Sequence, residues 1–408
     1  MVAGAYPVFG DPADCPVITM SAMNVSQQVC SRLQPFGESV FATWSRLATE
    51  HGAVNLGQGF PDFDGPPEVI EAAHQAMLDG HNQYAPMQGV PVLRTAIAQS
   101  AGEQMGLELN PDTDITVTAG CTEAIAATLL GLLNPGDEVI VFEPFYDSYP
   151  ASIALAGGVM RPITTRPPHF GIDLEAVREA VNNRTRAILL NTPHNPTGHV
   201  ATQEELEGLA AIAHEHDLVV IADEVYDRIV FEGEHRSIAS LEGMWERTIT
   251  LRSMAKTFSM TGWKIGWAIA PPALSAAVRA SHQFMTYSIA NPLQHGAATA
   301  LGLGDTYYAE LHRDYLARRD VLCDALEQVG FGVHRPAGTY FVMCDHTNFG
   351  FDGSEAFCQH LVEHIGIAAI PPGSFYSNPE DGRDLVRFAF CKTMPVLEDA
   401  IERLSLLA

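Results

Sequence analysis

An α/β fold built on a mostly parallel sheet, with a smaller α+β portion late in the chain, is predicted by three features of the 408-residue sequence. Short runs rich in Val and Ile alternate with longer stretches in which apolar residues recur every three or four positions, the pattern of strands covered on both faces by helices. After about residue 300 that alternation gives way to a long charged helix followed by scattered short elements. A 47% hydrophobic composition lets a chain of this length bury a large core as two or three portions folded together.

Taken in order, the first 31 residues carry little periodicity and read as a flexible extension. Runs at 115–118, 138–142, 186–190, 218–222, 248–251 and 266–270 read as strands, and 122–133, 204–216 and 272–287 as helices between them. Further on, a charged helix is expected over 307–329, then an apolar segment at 338–342. A helix over 354–364, an apolar strand around Val386-Arg387-Phe388-Ala389-Phe390 and a terminal helix over 396–407 complete the pattern.

The charge balance excludes some functions. With 49 acidic and 23 basic residues the net charge is −26, and such a field repels nucleic acid and anionic membranes. An anionic cofactor would need local positive groups. The seven cysteines, at 15, 30, 121, 323, 344, 358 and 391, are odd in number and scattered without CxxC spacing, which argues against disulfide and metal frameworks alike. No apolar run reaches the roughly 18 residues of a membrane span, and the sequence reads as a cytoplasmic protein.

Four places carry chemistry. Lys256 is one of three lysines and is flanked by Met254, Ala255 and Phe258 rather than by a polar run. Desolvation there would lower its pKa, and a neutral amine is a nucleophile able to form a Schiff base with an aldehyde such as pyridoxal. Ser253 and Lys264 nearby suit a phosphate ester. Val117-Thr118-Ala119-Gly120-Cys121-Thr122 reads as a strand end, a glycine turn and a helix start, which aims free N–H groups at one point, although a plain tight crossover has the same pattern. Asp223 ends an apolar run at the carboxyl end of a strand, where open α/β sheets bind ligands. Arg387 lies in an apolar strand, a costly place for a guanidinium without an anion; a substrate carboxylate or a structural salt bridge would each supply one.

The run Ser253-x-x-Lys256-Thr257-Phe258-x-x-Thr261-Gly262-Trp263-Lys264-x-Gly266 resembles the signature of fold-type I, class I/II pyridoxal-phosphate aminotransferases, and similar motifs follow in that family's order from about Phe36 to Leu407. The resemblance implies pyridoxal 5'-phosphate as cofactor, a seven-stranded, mostly parallel sheet sandwiched by helices, and a homodimer. It places residues 32–60 with a small C-terminal domain (301–408) beside a large cofactor domain (61–300). It implies that Lys256 is the covalent anchor and proton shuttle, that Asp223 faces the ring nitrogen, and that Asn195 and Tyr226 bond the ring's phenolic oxygen. Gly120, Cys121 (through backbone rather than thiol), Thr122, Ser253 and Lys264 would hold the phosphate and Phe145 would stack on the ring. Tyr84 would reach the neighbouring subunit's phosphate, and Gly59, Asn195 and Arg387 would bind the substrate carboxylate.

Within the family, motifs such as Leu56-Gly57-Gln58-Gly59-Phe60-Pro61 and Asn191-Thr192-Pro193-His194-Asn195-Pro196 look most like the kynurenine, glutamine and methionine aminotransferase branch, with actinobacterial N-succinyldiaminopimelate aminotransferases also similar. No second arginine matches the distal-carboxylate clamp of aspartate aminotransferases, while residues 282–287, including Tyr287, with Phe41 and Tyr340 offer aromatic and thioether surface for uncharged side chains. Arg161 or Arg166, entering from a loop, would instead favour a succinylated substrate. A cysteine-conjugate β-lyase using the same amine chemistry is a competing expectation. A non-catalytic regulator is disfavoured, since nothing before the first motif reads as a helix-turn-helix.

Overall fold

The computed structural model describes residues 29–407; the extension expected over residues 1–31 falls, up to residue 28, outside them. A short strand, β1 (Val54–Asn55), precedes the main sheet. That sheet contains β2 (Ile115–Ala119), β3 (Glu138–Glu143), β4 (Val159–Thr164), β5 (Thr185–Asn191), β6 (Val219–Asp223), β7 (Thr248–Ser253) and β8 (Ile265–Ile269), in the order β2-β8-β7-β6-β5-β3-β4. Only β8 runs antiparallel to its neighbours. Both faces are buried, and the pleat sorts the side chains. Val139 and Val141 join one apolar cluster with Leu189 and Ile221, whereas Ile140 and Phe142 join another with Ile188 and Val220.

The expected strands are present to within a residue or two. Within the main sheet, strand β4 is the one the sequence reading left out: Val-Met-Arg-Pro-Ile-Thr is an edge strand with a proline and an exposed start, and it lacks an apolar run. Helices cover the faces, among them Gly120–Leu132, Gln203–Glu215 and Pro272–Met285. The second of these starts at a capping box in which Thr202 Oγ1 accepts from the Glu205 N–H while the Glu205 carboxylate takes the Thr202 N–H.

The later chain forms a 25-residue helix, Asp305–Val329, and a three-stranded antiparallel sheet of β9 (Gly332–His334), β10 (Phe341–Asp345) and β12 (Leu385–Ala389). A short β11 (Ile367–Ala368) pairs in parallel with β1. Trp44 and Ala48, on the helix Val40–His51, and Leu56 share one apolar cluster with Leu322, Phe388 and Leu397. Packing thus ties residues 40–56 to the late elements.

The topology brings the chemistry together. Strands β2, β5, β6 and β7 all end at one edge of the sheet, with Asn191 opposite Asp223 in the register, and β8 starts there, with Gly266 opposite Ser253 and Ile265 opposite Ala119. The segments at these five strand ends therefore meet at the carboxyl edge, where the crossover connections of a parallel sheet leave room.

Candidate active site

A cavity of about 170 Å³ opens at that edge, lined by Gly120, Cys121, Thr122, Tyr146, Tyr149, Asn195, Asp223, Tyr226, Ser253, Lys256 and Lys264, with Ala255 and Thr261. A larger open groove of about 1060 Å³, past Phe170, His199 and Arg335, contains none of these residues.

Lys256 follows β7 in a four-residue helical turn, Met254–Thr257. Its Nζ donates to the Gly59 carbonyl at 3.5 Å and stands 5.6 Å and 5.5 Å from the ring centres of Tyr226 and Tyr340. Burial lowers its pKa from 10.5 to about 8, with Arg387 adding to the effect, so a free amine is accessible near neutral pH. Gly59 is held at the site through its carbonyl, which also accepts from Tyr340 Oη at 2.7 Å.

Asp223 is 4% exposed and accepts from Tyr149 Oη at 2.7 Å and from the Val225 N–H at 3.3 Å. Burial raises its pKa in spite of these donors, so the carboxyl is receptive to a cationic neighbour. Cys121, expected to act through its backbone alone, also places its thiol 3.6 Å from Asp223 Oδ1. Gly120 takes a φ of +72°, and Lys264 Nζ lies 3.3 Å from where a Gly120 Cβ would stand; Lys264 itself adopts φ +54°. Glycine is also needed at 266, because a Cβ there would sit 2.6 Å from the Gly120 carbonyl carbon.

Phe145 does not face the cavity. It packs in the apolar cluster with Ile125 and Val141, and its neighbour Tyr146 forms the wall instead. Beyond the end of β3, strand alternation no longer sets which of two adjacent aromatics points inward. Tyr149, on the helix Ser148–Leu155, is a second site residue the sequence reading missed; its contact with Asp223 spans 74 residues.

Arg387 is 1% exposed and has no acidic partner within 4.0 Å among the described residues. Its Nη2 donates to the Gly57 carbonyl at 2.7 Å and its Nη1 to Asn195 Oδ1 at 3.3 Å, while Nε has no partner. The rings of Phe341, Phe41 and Phe375 lie 4.2, 5.0 and 5.4 Å from the guanidinium carbon. Burial depresses its pKa to about 10, a sign of a charge held ready for an anion.

Other expected residues lie elsewhere. Tyr84 is 85% exposed and meets Tyr287 edge-on at 5.7 Å, away from the cavity of its own chain. His282 is buried against Glu123, and Phe284 faces solvent. Neither candidate arginine enters the cavity: Arg161 pairs with Glu138 through two bonds of 2.6 and 2.7 Å, and Arg166 pairs with Asp381 at 3.2 Å.

The cavity fits pyridoxal 5'-phosphate: a depressed-pKa amine for the aldehyde, a buried carboxyl for the ring nitrogen, and a helix start with two hydroxyls and a lysine for the phosphate. Residues 51–404 match the model of the aminotransferase class I and II family, and the chain belongs to it. It is an aminotransferase of fold type I, dependent on pyridoxal phosphate. Among particular relatives, a probable N-succinyldiaminopimelate aminotransferase of Mycobacterium tuberculosis is 48% identical over 390 residues, covering 93% of this chain and 98% of its own. The methionine aminotransferase of Escherichia coli is 40% identical over 375 residues, covering 92% and 97%. The solved structure of N-succinyldiaminopimelate aminotransferase from M. tuberculosis superposes with a TM-score of 0.91, covering 93% of this chain and all of its own.

Proposed function

We propose that this enzyme moves the amino group of an L-amino acid with an uncharged side chain, of the methionine, glutamine or kynurenine type, to a 2-oxo acid in two half-reactions. The observation that carries the reading is Arg387, a buried guanidinium with an unpartnered Nε that a substrate α-carboxylate would satisfy. Lys256, Lys264 and Arg387 are the cations we assign to the site; with Arg161 and Arg166 bound to acids elsewhere, a second carboxylate on the substrate finds no guanidinium among them.

When bound, pyridoxal phosphate supplies the reactive aldehyde and the electron-accepting ring. The chain supplies the rest. Arg387, with Asn195 and Gly59 beside it, orients the substrate so that its Cα–H faces Lys256. The Lys256 amine, made easier to deprotonate by burial, takes that proton in its neutral form and returns it on the cofactor side. Asp223, anchored by Tyr149, would hold the ring nitrogen's proton, and Tyr226 and Asn195 the phenolic oxygen. Gly120, Cys121, Thr122, Ser253 and Lys264 would hold the phosphate, and Tyr146 is placed to cover the ring face.

We read residues 61–300 as the large domain and 32–60 with 301–408 as the small one, a division supported by the β1–β11 pairing. A homodimer is supported by the exposed apolar group of Tyr84, Phe284, Met285 and Tyr287, with Tyr84 reaching the neighbouring site. The six described cysteines are all unpaired, in keeping with a cytoplasmic setting.

A second reading, N-succinyldiaminopimelate as donor, is favoured by the 48% identical relative of that description. Comparing kcat/KM for methionine, kynurenine, aspartate and N-succinyldiaminopimelate decides between them. Neutral donors should lead by about 10-fold to several hundred-fold. A succinylated or dicarboxylic donor leading by that margin would overturn the neutral reading, and pyruvate release from a cysteine conjugate without an acceptor would reveal a β-lyase.

A further inference from the structure

His282 lies on the helix Pro272–Met285, fully buried, with Nδ1 2.6 Å from Glu123 Oε1 and Nε2 2.9 Å from the Met87 carbonyl. Both partners are acceptors. A ring bonded to both carries a proton on each nitrogen and therefore a positive charge. Burial opposes that charge, but the two contacts outweigh it, and the net direction of the pKa is upward.

Each partner leads to a functional segment. Glu123 lies in the first turn of Gly120–Leu132, the helix whose opening residues line the cavity, and its Oε2 takes the Ala119 N–H at 2.5 Å. Met87 belongs to the stretch that carries Tyr84. That stretch is pinned where the Val117 N–H donates to the Gln88 carbonyl at 3.1 Å and Ser288 Oγ to the Ala85 carbonyl at 2.9 Å.

We infer that His282 is a positioning residue of the phosphate cup: its imidazolium cancels the Glu123 charge in the first helical turn and ties that turn to the segment bearing Tyr84. The inference rests on the reading that a phosphate sits at Gly120–Thr122. A lone carboxylate in that turn suits the helix dipole but repels an incoming dianion. Paired with an imidazolium, Glu123 keeps its bond to the Ala119 N–H and presents no net charge to the phosphate. Unpaired, it would be a buried anion beside another anion. Arg279, the other cation of this helix, is engaged by Thr116 Oγ1 and the Asp112 and Ile115 carbonyls, which leaves Glu123 as the charged group facing His282. Through Met87 the same ring sets the stretch offered to the neighbouring subunit, so the cup of one site and the tyrosine of the other share one tie.

The test measures binding of pyridoxal 5'-phosphate, and of pyridoxal lacking the phosphate, by equilibrium dialysis of wild type, His282→Gln, Glu123→Gln and the double variant. His282→Gln should weaken the phosphorylated form by about tenfold or more near neutral pH and leave pyridoxal unchanged. The double variant should recover most of that loss, because no buried charge remains. In wild type the preference for the phosphorylated form should fall as rising pH deprotonates the ring, and in Glu123→Gln it should not. That last comparison stands even if His282→Gln fails to fold. Equal loss of both ligands, no loss, or additive effects in the double variant would overturn the inference. Wild type binding pyridoxal as tightly as its phosphate would sink the phosphate-cup reading itself, and this inference with it.

Discussion

Arg387 and Lys256 each hold a positive charge where the fold makes one expensive, and that expense has a sign that can be measured. The folded pKa of Lys256, about 8, lies below its ordinary 10.5, so between those values the unfolded chain binds the extra proton and stability rises with pH. Below pH 8 the full penalty applies. Replacing Lys256 with Met should abolish transamination, yet raise the stability of the cofactor-free protein near pH 7 by on the order of 2–3 kcal/mol. The gain should fade as the pH passes 10.5, and thermal unfolding at pH 7 and above 10 checks it; a destabilised variant at neutral pH would contradict the argument. Asp223→Asn should retain cofactor and lose about a hundredfold or more in kcat, because an amide cannot support a protonated ring nitrogen. An unchanged kcat would make Asp223 merely structural. These residues were legible in the sequence because each contradicts its surroundings: a lysine among apolar neighbours, an acid and an arginine in buried strands. Tyr149 and His282 were not, since their meaning depends on partners 74 and 159 residues away.

At the scale of elements, the reversed strand β8 matters most, because it starts at the edge where the parallel strands end and so leaves Lys264, the residue before it, at that edge. The close approach of β8 to the helix start is possible only without a side chain at 266. Gly266→Ala should cost roughly 2 kcal/mol or more by displacing the Gly120 turn. A lowered denaturant midpoint together with weaker cofactor retention is the expected result; full retention would mean the turn can yield. Buried strands with runs such as Val219-Val220-Ile221-Ala222 announced themselves, whereas β4 and the two-residue β1 and β11 carry too few apolar positions to show a period. The order of the seven strands is likewise absent from local pattern. It comes from the crossovers of the folded chain, and the family resemblance supplied only the number of strands and their mostly parallel sense.

For the whole molecule, the net charge of −26 sets a self-repulsion that salt should screen. The unfolding temperature should therefore climb as ionic strength rises from low to about 0.5 M, and a flat response would show that the acids are already neutralised locally. The cations are few and largely committed. Of the three lysines, Lys256 and Lys264 line the cavity and Lys392 is buried with its Nζ on the Phe60 carbonyl at 2.9 Å. A reagent that seeks primary amines thus finds its accessible side-chain targets at this cavity rather than scattered over the exterior. Ordinary lysine coupling, used to attach dyes or to fix enzymes on a support, would act on this protein as an active-site inhibitor, and saturating the site beforehand would shield both cavity lysines. An attachment that preserves turnover has to go through carboxylates, which the exterior offers in abundance.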